Sequence, residues 1–92
     1  MSQEQRVYAI TGAASGIGLA LVKQLLEVGQ CVAASDISAE ALADMRALAP
    51  EAQLMLSPLD VADREAFNAW ADAVVEHFAG VDVIVNNAGV SL

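Results

Sequence analysis

The chain has 92 residues, enough for one small domain, and 57% of them are hydrophobic. Four basic against twelve acidic residues give a net charge of −8, which excludes the positive surface that nucleic acid or an anionic membrane requires. No apolar run approaches the roughly 18 residues of a membrane span, and the polar N-terminus shows no secretory signal. The single cysteine, Cys31, has no partner for an internal disulfide, so we expect a cytoplasmic protein with Cys31 as a small core residue.

The apolar content is high for so short a chain, because a small domain has a large surface for its volume. We therefore expect either a homo-oligomer or membership of a larger unit.

The hydrophobic pattern alternates between strands and helices along the whole chain. The predicted elements are, in order, strand 6–11, helix 16–28, strand 30–35, a helix capped by Ser38 and ended by Pro50, strand 52–57, helix 62–79 and strand 81–86. Strands joined by helices run parallel with right-handed crossovers. The pattern therefore predicts an α/β, doubly wound, Rossmann-like sheet in the order 3-2-1-4. Such a sheet binds ligands where its strand order reverses, at the carboxyl ends of the first and fourth strands.

The first predicted strand leads directly into a glycine-rich segment that opens a helix, Thr11-Gly12-Ala13-Ala14-Ser15-Gly16-Ile17-Gly18. Glycines let the backbone approach a pyrophosphate, and the free N–H groups and dipole of the helix N-terminus attract the anion. The segment is not a P-loop, because no Gly-Lys-Ser/Thr follows. The alternative interpretation is a tight turn that binds no ligand.

An acidic residue, Asp36, closes the second predicted strand. A carboxylate at this position accepts hydrogen bonds from both ribose hydroxyls of an adenosine and repels a 2′-phosphate. The next residue, Ile37, supplies no cation for such a phosphate. The pair therefore predicts NAD rather than NADP. The alternative role for Asp36 is the N-cap of the next helix, and the two roles are compatible.

These segments, with Asp60-Val61 and Asn86-Asn87-Ala88-Gly89, resemble the N-terminal half of the short-chain dehydrogenase/reductase family. The resemblance implies NAD as the cofactor, which would exchange a hydride with an alcohol or carbonyl substrate. It places Asp60 and Val61 at the adenine, Asn87 and Ala88 beside the ribose, and Asn86 mainly between the central strands. The implied cofactor-binding residues are Gly12, Ser15, Gly16, Ile17, Gly18, Asp36, Ile37, Asp60, Val61, Asn87, Ala88 and Gly89.

The catalytic Ser and Tyr-x-x-x-Lys of the family have no counterpart in these 92 residues. The one tyrosine, Tyr8, is followed four positions later by Gly12 rather than lysine, and His77 is expected to be solvated at a helix end. We therefore expect a partial NAD-binding Rossmann domain over residues 1–92, truncated after its fourth strand, which binds cofactor without catalysing. No metal site is predicted. The alternative is a cofactor-free truncated module that acts through association or structure. In either case we expect a homo-oligomer with strand 81–86 at the contact.

Overall fold

A computed structural model describes residues 4–88 of the chain. Its elements are β1 Val7–Ile10, α1 Gly16–Glu27, β2 Cys31–Asp36, α2 Ala39–Asp44, a 3-10 helix Met45–Leu48, β3 Leu54–Pro58, α3 Arg64–Phe78 and β4 Val83–Val85. The strands form a parallel sheet in the order β3-β2-β1-β4. The predicted Rossmann-like fold and its strand order are therefore confirmed.

A glycine ends α1 and turns the chain into β2. Gly29 lies in the left-handed region at φ 87°, where a residue without a Cβ is favoured. Its N–H donates to Leu26 O at 3.1 Å, and the N–H of Gln30 donates to Leu25 O at 2.9 Å. This pair of hydrogen bonds is the Schellman motif, so the predicted helix end near Gly29 is confirmed.

The second helix begins at the predicted cap but is shorter than the pattern suggests. Ser38 is its N-cap, and the Ser38 Oγ accepts a hydrogen bond from the Ala41 N–H at 3.2 Å. The alternative of Asp36 as the N-cap is therefore wrong. The α-helical part ends at Asp44, and the following turn tightens into a 3-10 helix, as is frequent at helix C-termini.

The third helix starts two residues later than predicted because an aspartate caps it. The Asp63 Oδ1 accepts the N–H of Ala66 at 3.1 Å. The helix then ends at Ala79, which adopts a left-handed conformation at φ 64°.

The sheet separates two hydrophobic cores. The core between the sheet and the helices α1 and α2 includes the buried residues Ile10, Val22, Val32, Ala34, Leu42, Met45 and Leu54. The core between the sheet and α3 consists of the buried residues Val7, Ala9, Cys31, Ala33, Leu59, Trp70 and Val74. The prediction of a buried cysteine is confirmed, and α3 buries Trp70 and Val74 against the sheet. Among residues 4–88, no helix is both long and apolar enough to cross a membrane.

The last strand is shorter than predicted, because the chain bends at Asp82. The Asp82 carboxylate accepts the Val7 N–H at 2.8 Å, and the Asp82 N–H donates to Val7 O at 2.9 Å. Strict alternation along the predicted strand 81–86 places Val81 on the same sheet face as Val85, and this expectation is wrong. Val81 packs with the core next to α3, whereas Val85 packs with the core next to α1.

Candidate functional site

The glycine-rich segment forms the loop between β1 and α1, and two of its glycines turn the backbone. Gly12 and Gly16 have φ angles of 61° and 55°, in the left-handed region that other residues rarely adopt. A Cβ added at Gly16 would meet no atom within 4 Å. The loop therefore faces open space at this position.

The start of α1 presents backbone donors toward that space. The N-cap residue Ser15 makes no side-chain capping hydrogen bond, and the Leu19 N–H donates to Ser15 O at 3.2 Å. Helix geometry leaves the preceding N–H groups, those of Gly16, Ile17 and Gly18, without acceptors inside the helix. No acidic residue lies in this first turn. The arrangement suits an anion.

Gly18 differs from the other two glycines because it is packed against the loop. A Cβ at Gly18 would lie 2.2 Å from Gly12 O and 2.8 Å from Asn87 Nδ2. Real Cβ atoms do not approach a backbone carbonyl so closely, so only glycine allows α1 to pack here. Close helix packing is the part that the third glycine plays in dinucleotide-binding turns.

Thr11, which the sequence did not single out, joins the ends of β1 and β4. It is fully buried, and its Oγ1 donates to Asn86 Oδ1 at 3.0 Å. The same oxygen accepts the N–H groups of Asn87 and Ala88, each at 3.0 Å. The contact agrees with the strand-joining role expected of Asn86. Asn87 takes part as well, because its Nδ2 donates to Gly12 O at 3.1 Å.

Asp36 lies at the carboxyl end of β2, between the glycine-rich loop and α2. Its Oδ2 accepts the Ala14 N–H at 3.0 Å, and its Oδ1 accepts the Ser38 N–H at 3.0 Å. Its backbone oxygen accepts the Leu59 N–H at 2.9 Å, which holds the loop after β3 against it. The carboxylate is half-buried, and each of its oxygens keeps capacity for a further donor.

A cleft of about 360 Å³ opens at this edge of the sheet and brings together six of the twelve predicted cofactor-binding residues. Its lining residues are Gly12, Asp36, Ile37, Leu59, Asp60, Val61 and Ala88. Ile37 is 74% exposed and offers an apolar surface, whereas Asp60 is fixed by its Oδ1, which accepts the Ala62 N–H at 2.9 Å. Leu59 was not foreseen, because its buried apolar side chain resembles any core residue. The predicted site residue Gly89 lies outside the described residues.

The two side chains considered as acids lie away from this cleft. His77 Nε2 is 2.7 Å from Glu51 O, just before β3 begins and so at the opposite end of the sheet. Tyr8 is half-buried inside β1 and packs against the core next to α1. Within residues 4–88, no three His, Cys, Asp or Glu side chains are grouped so that they could hold a metal ion.

The site fits a nucleotide with a phosphate and a free ribose, since it combines the open glycine loop, the helix N-terminus and the adjacent carboxylate. Comparison with known proteins identifies the family to which the chain belongs. A family model described as short chain dehydrogenase matches residues 6–92. The chain belongs to the short-chain dehydrogenase/reductase family, whose members bind a nicotinamide dinucleotide, usually NAD or NADP. The predicted family is thus confirmed, and the prediction of such a cofactor is confirmed at the level of the family.

Relatives of known name show how much of the family fold the chain spans. SadH of Mycobacterium tuberculosis is 48% identical over 92 residues, which cover 98% of this chain and 33% of SadH. The 2-(R)-hydroxypropyl-CoM dehydrogenase of Xanthobacter autotrophicus is 42% identical over 89 residues, covering 94% and 36% of the two chains. A short-chain dehydrogenase structure from Streptomyces avermitilis superposes with a TM-score of 0.86 at 36% identity, covering 94% of this chain and 31% of that one. The chain thus spans about a third of the length of these relatives.

Proposed function

We propose that this chain is the NAD-binding half of an oxidoreductase that transfers hydride between NAD(H) and an alcohol or carbonyl substrate. The observation that supports it best is the Asp36 carboxylate, which lies in the cleft beside the glycine-rich loop. That is the geometry by which dinucleotide-binding folds recognise an adenosine ribose.

The pyrophosphate would be held at the start of α1. The N–H groups of Gly16, Ile17 and Gly18 supply donors at the positive end of the helix dipole. The Ser15 hydroxyl adds a donor that no cap interaction occupies. Gly12, with its φ of 61°, turns the loop and lets the Ala88 backbone pack close, because a Cβ at Gly12 would lie 3.1 Å from Ala88 Cα. Local geometry therefore offsets the repulsion that a chain of net charge −8 exerts on an anion.

The adenosine would occupy the cleft beyond the loop. Asp36 would accept the two ribose hydroxyls, and Ile37 and Val61 would cover the base. Asp60, whose carboxylate is already oriented by the Ala62 N–H, would accept the adenine amino group. A 2′-phosphate at the ribose would bring two negative charges together beside the half-buried carboxylate.

Asn87 and Ala88 would line the second ribose, since Thr11 fixes their backbone at the mouth of the cleft. When bound, the nicotinamide supplies the hydride chemistry. Reduction of a carbonyl also needs a proton donor, and neither Tyr8 nor His77 lies at this edge. We therefore propose that the 92 residues alone bind cofactor without catalysing.

Calorimetric titration of the chain with NAD, NADP and ADP-ribose tests the proposal. Like charges about 4 Å apart repel by about 1–4 kcal/mol between bulk water and a protein surface, so we expect NAD to bind roughly 30-fold more tightly than NADP. ADP-ribose should bind within about threefold of NAD, because Asp36 and the loop contact the adenosine and pyrophosphate. An Asp36→Ala variant should reduce the ratio between the affinities for NAD and NADP. Equal affinity for NAD and NADP in the unmodified chain would refute the assignment.

A second candidate function, association of a cofactor-free module, is favoured by the exposed edge of β4. Ile84 is 60% exposed and aligns with Ala9 on the sheet face that α3 covers. Edge strands with free backbone groups pair readily with another chain. We propose that a second copy pairs at this edge to give a homodimer or larger assembly. A cytoplasmic location, consistent with the lone buried thiol of Cys31, belongs to the same proposal.

Titration with NAD separates the two candidates, because a cofactor-free module would show no saturable binding at millimolar NAD. Sedimentation at micromolar concentration tests the association itself. Ile84→Lys should shift the chain toward monomer. The control is Val75→Lys, which also replaces an exposed apolar side chain but lies on α3 and not on β4, and it should leave the oligomeric state unchanged. A dilution-independent monomer in the unmodified chain would overturn the association.

A further inference from the structure

The carboxylate assigned to the ribose also holds the backbone that leads to the phosphate donors. The loop is pinned at two successive residues: the Ala13 N–H donates to Ser35 O at 3.0 Å, and the Ala14 N–H donates to Asp36 Oδ2 at 3.0 Å. The Ala13 contact is between backbone atoms, so it does not depend on the Asp36 side chain. The Ala14 contact depends on one side chain.

The position of that contact gives it a consequence for anion binding. Ala14 is the last buried residue of the loop, and Ser15, Gly16 and Ile17 beyond it are exposed. The Asp36 hydrogen bond is therefore the last side-chain anchor before the N–H groups that face open space. Because its Oδ1 simultaneously accepts the Ser38 N–H, the carboxylate cannot turn away without breaking a second bond.

From these contacts we infer that Asp36 is a positioning residue for the phosphate site as well as a ribose ligand, so that binding at the two ends of the adenosine diphosphate is coupled through one carboxylate. The inference rests on the proposed dinucleotide site. Each carboxylate oxygen retains a free lone pair, so ribose hydroxyls add to the two existing hydrogen bonds and do not displace them.

The direction in which Asp36→Ala changes the affinity for an anion distinguishes a positioning role from a purely electrostatic effect. Removing a negative charge near an anion site should strengthen anion binding. Removing the anchor of the loop should weaken it, since the donors must then be ordered by the ligand itself. Asp36→Ala removes both, and we expect the loss of order to dominate.

Inorganic pyrophosphate is the probe, because it has no ribose and cannot contact Asp36 through a diol. Binding is followed by the NMR shifts of the Gly16 and Gly18 amides in the 92-residue chain. We expect Asp36→Ala to weaken pyrophosphate binding by about fivefold, the order of effect of losing one ordering hydrogen bond.

Asp60→Ala is the matched control. It removes the same charge from the same cleft, but among residues 4–88 the Asp60 carboxylate accepts a hydrogen bond from its own loop alone, from the Ala62 N–H. Pyrophosphate should bind this variant more tightly than the unmodified chain, by about twofold. If Asp36→Ala also binds pyrophosphate as tightly as the unmodified chain or more tightly, the positioning role is overturned.

A second measurement keeps the inference testable if Asp36→Ala loses its fold. In the isosteric Asp36→Asn, one oxygen remains for the two N–H groups, so hydrogen exchange at the Ala14 or Ser38 amide should accelerate by about tenfold while the Ala13 amide stays protected. Unchanged exchange at both amides would contradict the inference. Failure of NAD to bind the unmodified chain would instead contradict the proposed function, whatever the exchange data show.

Discussion

Replacing Thr11 with valine should destabilise the protein more than any other change of equal size at the site. Valine keeps the shape of threonine but has no hydroxyl. The substitution deletes the donor to Asn86 Oδ1 and the acceptor shared by the Asn87 and Ala88 N–H groups, three contacts of 3.0 Å at a fully buried position.

The expected loss of stability depends on the hydrogen-bonding groups that lose their partner. A hydrogen bond contributes about 1 kcal/mol net, and a buried group left without a partner costs about 1–3 kcal/mol. The three partners are only half-buried or exposed, so water can reach some of them, and we expect a loss of about 3 kcal/mol. Small domains are stable by about 5–15 kcal/mol, so the variant should remain folded but with a clearly lower urea midpoint.

Thr11→Ser is the matched control. It keeps the hydroxyl and removes one methyl group, which should cost about 1 kcal/mol. Equilibrium urea unfolding, followed by circular dichroism and by the fluorescence of the buried Trp70, measures both variants. Hydrogen exchange at the Ala88 amide shows whether the loss is local to the end of β4. A smaller loss of stability for Thr11→Val than for Thr11→Ser would show that the Thr11 hydroxyl does not stabilise the junction of β1 and β4.

Two further changes test other features of the structure. Gly18→Ala places a Cβ 2.2 Å from Gly12 O, so it should lower the free energy of unfolding by about 1–3 kcal/mol or more and weaken NAD binding. Gly29→Ala is strained at φ 87° but has nothing near its Cβ, so it should lower the thermal midpoint without changing the affinity for NAD. Burial raises the pKa of the Cys31 thiol. The stability that the buried neutral thiol contributes is therefore complete below the ordinary thiol pKa and is lost as the pH rises through the raised value. The free energy of unfolding across that pH range should fall more steeply for the unmodified chain than for Cys31→Ala, and parallel profiles would contradict this.

The fold could be predicted from the sequence because its signals are local. Periodicity identified every strand and helix, and the cap at Ser38 and the turn at Gly29 depend on residues within one or two turns of each other. Asp36 could be placed beside the glycine-rich loop for the same reason, since both follow consecutive parallel strands. The strand order then required only the handedness of the crossovers.

The site's internal supports could not be predicted, because they join residues that are far apart in the chain. The Thr11 hydroxyl meets the Ala88 N–H across 77 positions, and no pattern near Thr11 indicates that contact. Gly18 shows the same limit on one side only: its packing against Gly12 is local, whereas the approach of Asn87 Nδ2 to its Cβ position joins distant parts of the chain. The bend at Asp82 likewise depends on Val7 at the start of β1.

These long-range contacts make cofactor binding and the β1–β4 pairing parts of one equilibrium. Ala88 lines the cleft, and its backbone follows β4 and is held by Thr11 at the end of β1. The strand β4 consists of just Val83–Val85 and pairs with β1 alone. So short an edge strand opens more readily than the central strands. A ligand that binds only the paired state stabilises that state in proportion to its concentration. Saturating NAD should therefore protect the amides of β4 against exchange more than those of β3 at the opposite edge, although the proposed site touches neither strand directly. Equal protection of the two edge strands would mean that the cleft forms independently of β4.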